Sequence, residues 1–326
     1  MKEFNPRRRA LTGALGALGV MSALPWRAAL AQAYPAKPIR VVHGYDSGSN
    51  PDTVARIIAP GLTERLGQPI VIDPKPGAGG RIATTHVATQ EPDGYTLMML
   101  TAGDGVTAAT ESKLPYDLLR DYAFVSSVIT FPFVIMVGAD SPYKTLKEFL
   151  DAARREPGKL NFGTPGIRTT QHLTGELLKT TAGIDLLHVP FKGNPFPDLI
   201  GGRLSSMIAA PSVSTPQIQS GKVRALAVTG RARMSTLPDV PAVAELLPGF
   251  EVSSWLGLAA PAKTPSAVVE RLSLEVRQVL GQAAVRERLL AIGSEPGGST
   301  GAALRERVET DIRKWKGLAD KAKLDA

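Results

Sequence analysis

The chain has 326 residues, of which 43% are hydrophobic and none is cysteine. This length suffices for two domains of ordinary size, and the missing cysteines exclude disulfides, thiol catalysis and cysteine-ligated metals. The formal charge is +8, but no long run of lysine and arginine with interleaved aromatic residues is present, so nucleic acid is not an expected partner.

The first 33 residues have the three-part pattern of a secretory signal peptide. Arginines at positions 7–9 precede an apolar run at 10–24, and the small-x-small sequence at 31–33 follows. The arginines are typical of the twin-arginine export route, although the usual aromatic residue after the pair is missing. We expect cleavage after Ala33 and a mature protein outside the cytoplasm. A retained N-terminal anchor is the alternative.

Short apolar strands and amphipathic helices alternate along the first half of the mature chain. The predicted strands are at residues 39–42, 70–72, 95–101 and 133–137. The first predicted helix has Asn50 as its N-cap and Pro51 at the first helical position. The next begin at about residue 82 and, with a capping box, at Thr145. Pro60 is expected to kink or split the first of them.

The second half continues the same alternation. Its predicted strands are at residues 160–163, 187–190, 206–209, 223–229 and 255–260, and its predicted helical segments begin at about 169–170, 198, 264–265 and 299–300. This order indicates an α/β fold with mostly parallel sheets. The segments 133–137 and 255–260 separate blocks that look like two domains. We therefore predict one discontinuous lobe, 34–135 with 255–326, and a second lobe at 136–254.

Three loops share the order strand, Gly-rich or hydroxyl-rich turn, helix. They are residues 47–50, 77–80 and 163–170. Free N–H groups at helix N-termini bind anions, and ligands of open α/β sheets bind at the carboxyl ends of strands. The loops are therefore candidate anion sites, although each is also explained by helix capping alone.

Four side chains near these loops carry chemistry of their own. Arg168 and Lys192 are candidate carboxylate ligands or solvated loop residues. His172 is a candidate base or a helix-start hydrogen-bonding residue. Asp104 lies in a G-x-G-x-x-A sequence at 103–108, but this follows the third strand and lacks the later acidic strand end, so no dinucleotide cofactor is expected. The scattered histidines predict no metal site.

Several motifs together resemble the Bug family, the periplasmic solute-binding proteins of tripartite tricarboxylate transporters. The matching segments are at residues 34–42, 66–69, 76–80, 92–97, 114–117, 188–193, 201–202, 237–241, 248–251 and 258–261. The resemblance covers essentially the whole mature chain. It implies a two-lobed, type II periplasmic binding fold with a two-crossing hinge, no catalysis, and a small carboxylate ligand between the lobes.

The resemblance places the ligand on the loop at 45–51 and on the loop at 163–172. With the three turns and the four side chains, the predicted ligand-binding residues are Tyr45, Ser47, Gly48, Ser49, Asn50, Gly79, Asp104, Gly163, Thr164, Arg168, Thr169, Thr170, His172 and Lys192. The family often has small residues where Ile167 and Arg168 stand here. Asp46 and Asp104 are also departures, and either carboxylate would repel a dicarboxylate that it faced.

The resulting expectation is a monomeric solute-binding protein that delivers a small organic acid to membrane permease subunits. A sensor that presents its ligand to a membrane signalling partner fits the sequence equally well. A secreted hydrolase centred on His172 is a third hypothesis, which the missing G-x-S-x-G elbow disfavours.

Overall fold

The computed structural model describes residues 34–322. The predicted signal peptide and its cleavage site lie outside these residues. Within 34–322, no helix combines the length and apolar character that crossing a membrane requires.

Strands and helices occupy most of the described chain. The strands are β1 (Ile39–His43), β2 (Ile70–Pro74), β3 (Thr96–Thr101), β4 (Tyr122–Pro132), β5 (Val134–Gly138), β6 (Asn161–Thr164), β7 (Leu187–Pro190), β8 (Ser206–Ala209), β9 (Val223–Val228), β10 (Ser253–Pro261) and β11 (Glu295–Pro296). The α-helices are α1 (Asn50–Leu66), α2 (Arg81–Ala88), α3 (Ala102–Thr110), α4 (Leu146–Arg155), α5 (Thr170–Ala182), α6 (Phe196–Ile200), α7 (Pro211–Gln219), α8 (Ser266–Gly281), α9 (Ala283–Ala291) and α10 (Gly301–Ala322).

The strands form two sheets, with the orders β11-β4-β10-β3-β1-β2 and β7-β6-β8-β5-β9. In the first, β1 runs parallel to β2 and β3, whereas β10 is antiparallel to β3 and β4. In the second, β6 is parallel to β7 and β8, whereas β5 is antiparallel to β8 and β9. The α/β class is confirmed, but the expectation of mostly parallel sheets is wrong. The chain leaves the first sheet on β4, enters the second on β5 and returns to the first on β10. These strands pair antiparallel with their neighbours, so they do not need the helical crossover that connects parallel strands.

Several elements differ from the sequence-based expectation. Helix α1 runs unbroken through Pro60, so the proline does not split it. Residues 102–110 form a helix for which no element was predicted, and a capping box between Thr101 and Asp104 lies at its start. Strand β4 and helices α7 and α9 were not predicted. Two prolines in α7, one at its start, had concealed its helical pattern.

The chain passes between the sheets at two points that Thr229 joins. Strand β4 ends at Pro132 in the first sheet and β5 begins at Val134 in the second, with Phe133 between them. The return lies between the end of β9 and Ser253. The Thr229 hydroxyl accepts the Phe133 N–H at 2.8 Å and donates to the Val252 carbonyl at 2.7 Å. We propose that these crossings are the hinge between two lobes, close to the predicted boundaries.

Each sheet is covered by its own apolar core. Trp255, Leu100 and Val308 belong to the first core, in which helix α10 packs against the sheet. Met136, Leu199 and Val228 belong to the second. The two sheets are therefore stabilised by separate apolar cores.

Candidate functional site

A cavity of about 450 Å³ lies where the carboxyl ends of strands from both sheets meet. This is the place that the α/β rule predicts for a ligand. The described residues that line it are Tyr45, Asp46, Ser47, Gly48, Ser49, Asn50, Pro51, Thr101, Gly103, Phe131, Phe133, Pro165, Thr170, Gln171, Gly193, Asn194, Pro195, Phe196, Met207, Ala209, Ala210, Ser212, Val213, Pro216, Gln217, Ser254 and Leu256.

The first turn of α1 lines this cavity and holds two buried polar atoms that have no partner among the described residues. Ser49 precedes the helix with extended backbone, and Asn50 and Pro51 open it. Asn50 is 6% exposed. Within residues 34–322, Ser49 Oγ and Asn50 Nδ2 are buried and have no hydrogen-bond partner. Because leaving such groups unpaired costs free energy, they are expected to serve a ligand.

Asp52 holds the loop before α1 in place. Its carboxylate accepts the Gly48 N–H at 2.9 Å and two hydrogen bonds from Arg56, at 2.8 and 3.0 Å. It also lies 3.3 Å from His43 Nε2. Burial acts to raise the pKa of Asp52, but these hydrogen bonds outweigh it and keep the pKa below its usual value. The loop is therefore fixed by an ionised carboxylate that is not part of the cavity lining.

Tyr45 and Gly103 bring the first sheet close to the start of α5. The Tyr45 hydroxyl donates to the Gly79 carbonyl at 3.4 Å. A Cβ atom on Gly103 would lie 3.2 Å from that hydroxyl and 3.8 Å from the Thr170 nitrogen. Burial, with the nearby Asp104, raises the pKa of Tyr45, so the phenol remains a neutral donor. Glycine at 103 thus permits a close approach between the two halves of the site.

The loop before α5 is ordered by its own hydrogen bonds. Thr169 Oγ1 accepts the His172 N–H at 3.2 Å and donates to the Gly166 carbonyl at 2.9 Å. Arg168 has a φ of 60°, a left-handed conformation that is rare for residues other than glycine. Its N–H donates to His172 Nδ1 at 3.2 Å. His172 is therefore a support for the loop.

His172 and His188 stack behind this loop, with ring centroids 3.9 Å apart. His188 Nε2 lies 2.6 Å from Thr164 Oγ1. Burial lowers the pKa of His172 to about 4 and that of His188 to about 3, with Lys179 adding to both shifts. Both rings are therefore neutral at pH 7. Because His172 Nδ1 already accepts a backbone N–H, the geometry gives no support to its use as the base of a hydrolase.

Asp104 also has structural partners. Its carboxylate accepts hydrogen bonds from Thr84 Oγ1 at 2.6 Å, the Thr101 N–H at 2.7 Å and Thr101 Oγ1 at 3.0 Å. Burial raises the pKa of Asp104, against the effect of these hydrogen bonds. The side chain closes the start of α3 and joins it to α2.

The predicted ligand-binding residues divide into two groups. Those lining the cavity are Tyr45, Ser47, Gly48, Ser49, Asn50 and Thr170. Those that lie outside its lining are Gly79, Asp104, Gly163, Thr164, Arg168, Thr169, His172 and Lys192. In residues 34–322, no group of three or more histidines and carboxylates could hold a metal ion.

Sequence reasoning missed much of the cavity wall. Phe131 and Phe133 come from the first crossing, Phe196 from the start of α6, and Ser212 from the start of α7. The Pro195-Phe196-Pro197 and Ala210-Pro211-Ser212 sequences do carry helix-start signals. Nothing local indicated that these helices begin at the same cavity as α1.

The family model described as tripartite tricarboxylate transporter family receptor matches residues 54–324. The chain belongs to this family. It is 36% identical over 324 residues to the UPF0065 protein in the tcbD-tcbE intergenic region of Pseudomonas sp. (strain P51). The aligned region covers 98% of this chain and 96% of that protein. The proteins of this family are solute-binding receptors, and the resemblance that the sequence motifs carry is confirmed.

Two solved structures share both fold and sequence with the chain. Rpa4515 of R. palustris, solved with adipate, has a TM-score of 0.86 and 33% identity, over 89% of this chain and 98% of that one. MatC (Rpa3494) of Rhodopseudomonas palustris, solved with bound malate, has a TM-score of 0.82 and 32% identity, over 87% of this chain and 99% of that one. The two-lobed periplasmic binding protein fold is thereby confirmed.

Proposed function

We propose that this receptor captures a small organic acid in the cavity between its two sheets and delivers it to the permease subunits of a tripartite tricarboxylate transporter. The pattern at residues 1–33 supports export to the periplasm with cleavage after Ala33. Adipate and malate, found in two related structures, are both carboxylates, which supports this ligand class.

The observation that carries the proposal is the buried Asn50 Nδ2, which has no hydrogen-bond partner among residues 34–322, at the first turn of α1. The N-terminus of an α-helix carries about half a positive charge and several free N–H groups. Asn50 Nδ2 and Ser49 Oγ add two side-chain donors at the same place. A carboxylate bound here would satisfy these donors without a cationic side chain.

Asn50 also joins the ligand site to the opposite sheet. Its Oδ1 accepts a hydrogen bond from Ser212 Oγ at 2.7 Å. Asn50 opens α1 after β1 of the first sheet, whereas Ser212 lies in α7 after β8 of the second. A ligand that holds the Asn50 amide in this orientation would favour the form in which the two sheets are joined. Such differential affinity is the requirement for ligand-driven closure about the proposed hinge.

The test is calorimetric titration of organic acids into the mature protein after removal of any retained ligand. Asn50→Asp replaces the amide donor with a carboxylate of the same size. We expect its affinity for the best-bound acid to fall at least tenfold, because a charged hydrogen bond worth about 1.5–3 kcal/mol is lost. Gln219→Glu, at an exposed position at the end of α7, is the control for the added negative charge and should bind like the wild type.

The proposal fails if no organic acid binds the wild type. It also fails if Asn50→Asp, folded normally by circular dichroism, binds the acid as tightly as the wild type does.

A further inference from the structure

The loop of residues 165–170, before α5, lies directly against the turn of residues 77–80, which follows β2 of the first sheet. A Cβ atom on Gly79 would lie 3.1 Å from the Ile167 carbonyl oxygen, and one on Gly166 would lie 3.8 Å from Gly79 Cα. Gly79 has a φ of 65°, which favours glycine at this position. The two backbones therefore approach each other without side chains between them, and this contact joins the two halves of the molecule.

A hydrogen bond to α5 holds the loop in the conformation that makes this contact. Arg168 follows Ile167 and has the strained, left-handed φ of 60°. Its N–H donates to His172 Nδ1 at 3.2 Å. This bond requires an unprotonated Nδ1, because a protonated ring nitrogen cannot accept a hydrogen bond. The position of the Ile167 carbonyl thus depends on the protonation state of His172.

A second histidine is tied to the same loop. The rings of His172 and His188 stack with centroids 3.9 Å apart and an interplanar angle of 22°. His188 Nε2 lies 2.6 Å from Thr164 Oγ1, and that hydroxyl accepts the Gly166 N–H at 3.3 Å. Two positive charges at the separation of these rings would repel each other strongly in a buried site. The stacked pair can therefore not hold two protons, and a proton on His172 Nδ1 removes the bond to the loop.

The charged groups around the pair decide how readily it takes up a proton. Glu176 Oε1 lies 3.8 Å from His172 Nε2 and favours the charged ring, but Glu176 is itself paired with Lys179 at 3.0 Å. Lys179 and Arg168 oppose protonation, and the facing turn at 77–80 has no charged side chain. Burial has the largest effect, and with these two cations it lowers the pKa of His172 to about 4.

We infer that the stacked pair His172–His188 is an acid-sensitive latch, which holds the loop 165–170 against the turn 77–80 while both rings are neutral and lets the two halves separate when it is protonated. His172 is a positioning residue, since it reaches the contact through Arg168. In the released form the histidine pKa returns towards its ordinary value of about 6.5, so acid favours that form. The inference goes beyond the proposed function, because it concerns closure of the protein and holds whichever ligand the cavity binds.

Distances between the two halves, measured by pulsed electron paramagnetic resonance, test the latch. Because the chain has no cysteine, a Glu91→Cys, Thr181→Cys variant carries spin labels at these two positions alone. Both are exposed, one in the turn after α2 and the other near the end of α5. In protein freed of any retained ligand, the ratio of short to long distances should fall at least fivefold between pH 7.5 and pH 4, which corresponds to about 1 kcal/mol.

Three variants in the same labelled background separate the latch from a general effect of acid. His172→Asn keeps an acceptor for the Arg168 N–H but cannot take up a proton, so it should be closed at pH 7.5 and lose most of the pH dependence. His172→Leu has no acceptor and should show the long distance throughout. His86→Asn, in α2, is the matched control for the loss of a histidine and should keep the wild-type pH profile.

The inference is overturned if the distances in the wild type do not change between pH 7.5 and pH 4, or if the protein unfolds by circular dichroism before they lengthen. It is also overturned if His172→Asn keeps the full pH dependence, if His172→Leu closes like the wild type, or if His86→Asn abolishes the change. If His172→Asn does not fold, His188→Gln, which keeps a polar group for Thr164 Oγ1 and cannot be charged, serves the same test. Since no ligand is added, each of these outcomes leaves the proposed function standing.

Discussion

Thr229 is predicted to be the residue whose hydroxyl most strongly stabilises the two crossings. It is fully buried, and its single Oγ1 both accepts from the Phe133 N–H and donates to the Val252 carbonyl. Thr229→Val keeps the shape of the side chain but leaves both backbone groups unpaired. At about 1–3 kcal/mol for each buried group, the expected loss in the free energy of unfolding is roughly 2–6 kcal/mol.

Urea unfolding followed by circular dichroism measures this loss, with the slope of the transition compared among variants. Thr229→Ser is the matched control because it keeps the hydroxyl and removes one methyl group, worth about 1 kcal/mol. The reasoning is refuted if Thr229→Val costs less than about 1 kcal/mol, or no more than Thr229→Ser, since the hydroxyl would then not join the crossings.

Three further predictions concern packing, protonation and backbone strain. A Cβ atom on Gly175 would lie 2.1 Å from the Phe162 ring, so Gly175→Ala should lower the free energy of unfolding by about 1–3 kcal/mol in the same urea assay. Gly317→Ala is the control: a Cβ atom there meets open space in α10, so this change should raise the free energy of unfolding by up to about 1 kcal/mol. Since the pKa of His172 is lowered to about 4, its neutral form contributes stability above pH 6.5 that is lost as the pH falls towards 4. The free energy of unfolding should therefore depend less on pH between these values in His172→Gln than in the wild type. An unchanged dependence on pH would contradict the burial of this ring. Arg168→Gly should relieve the strain of its left-handed conformation and raise the free energy of unfolding by up to about 1 kcal/mol. It should also leave the affinity for organic acids within twofold of the wild type. A larger loss of affinity on titration would show that Arg168 binds the ligand after all.

Local sequence determined the elements whose signals lie within a few residues. The Thr145–Glu148 capping box is observed, and α1 begins within one residue of its predicted start, although Ser49 rather than Asn50 is its N-cap. These signals work because capping and strand formation depend on neighbouring side chains and backbone groups. The cavity-lining loop before α1 was predictable for the same reason, and the family motifs along the chain were sufficient for the two-lobed fold.

Tertiary structure alone decided which segments meet at the cavity and what its wall is made of. Asn50 and Ser212 are separated by 162 positions and are joined only because α1 and α7 begin at facing strand ends. Phe131 and Phe133 become an aromatic wall because β4 crosses directly into β5 at that point. Asp104 and His172, chosen for their chemistry, instead bind backbone and side-chain groups near them. A residue type and its spacing indicate what a side chain can do, but long-range packing determines which groups compete for it.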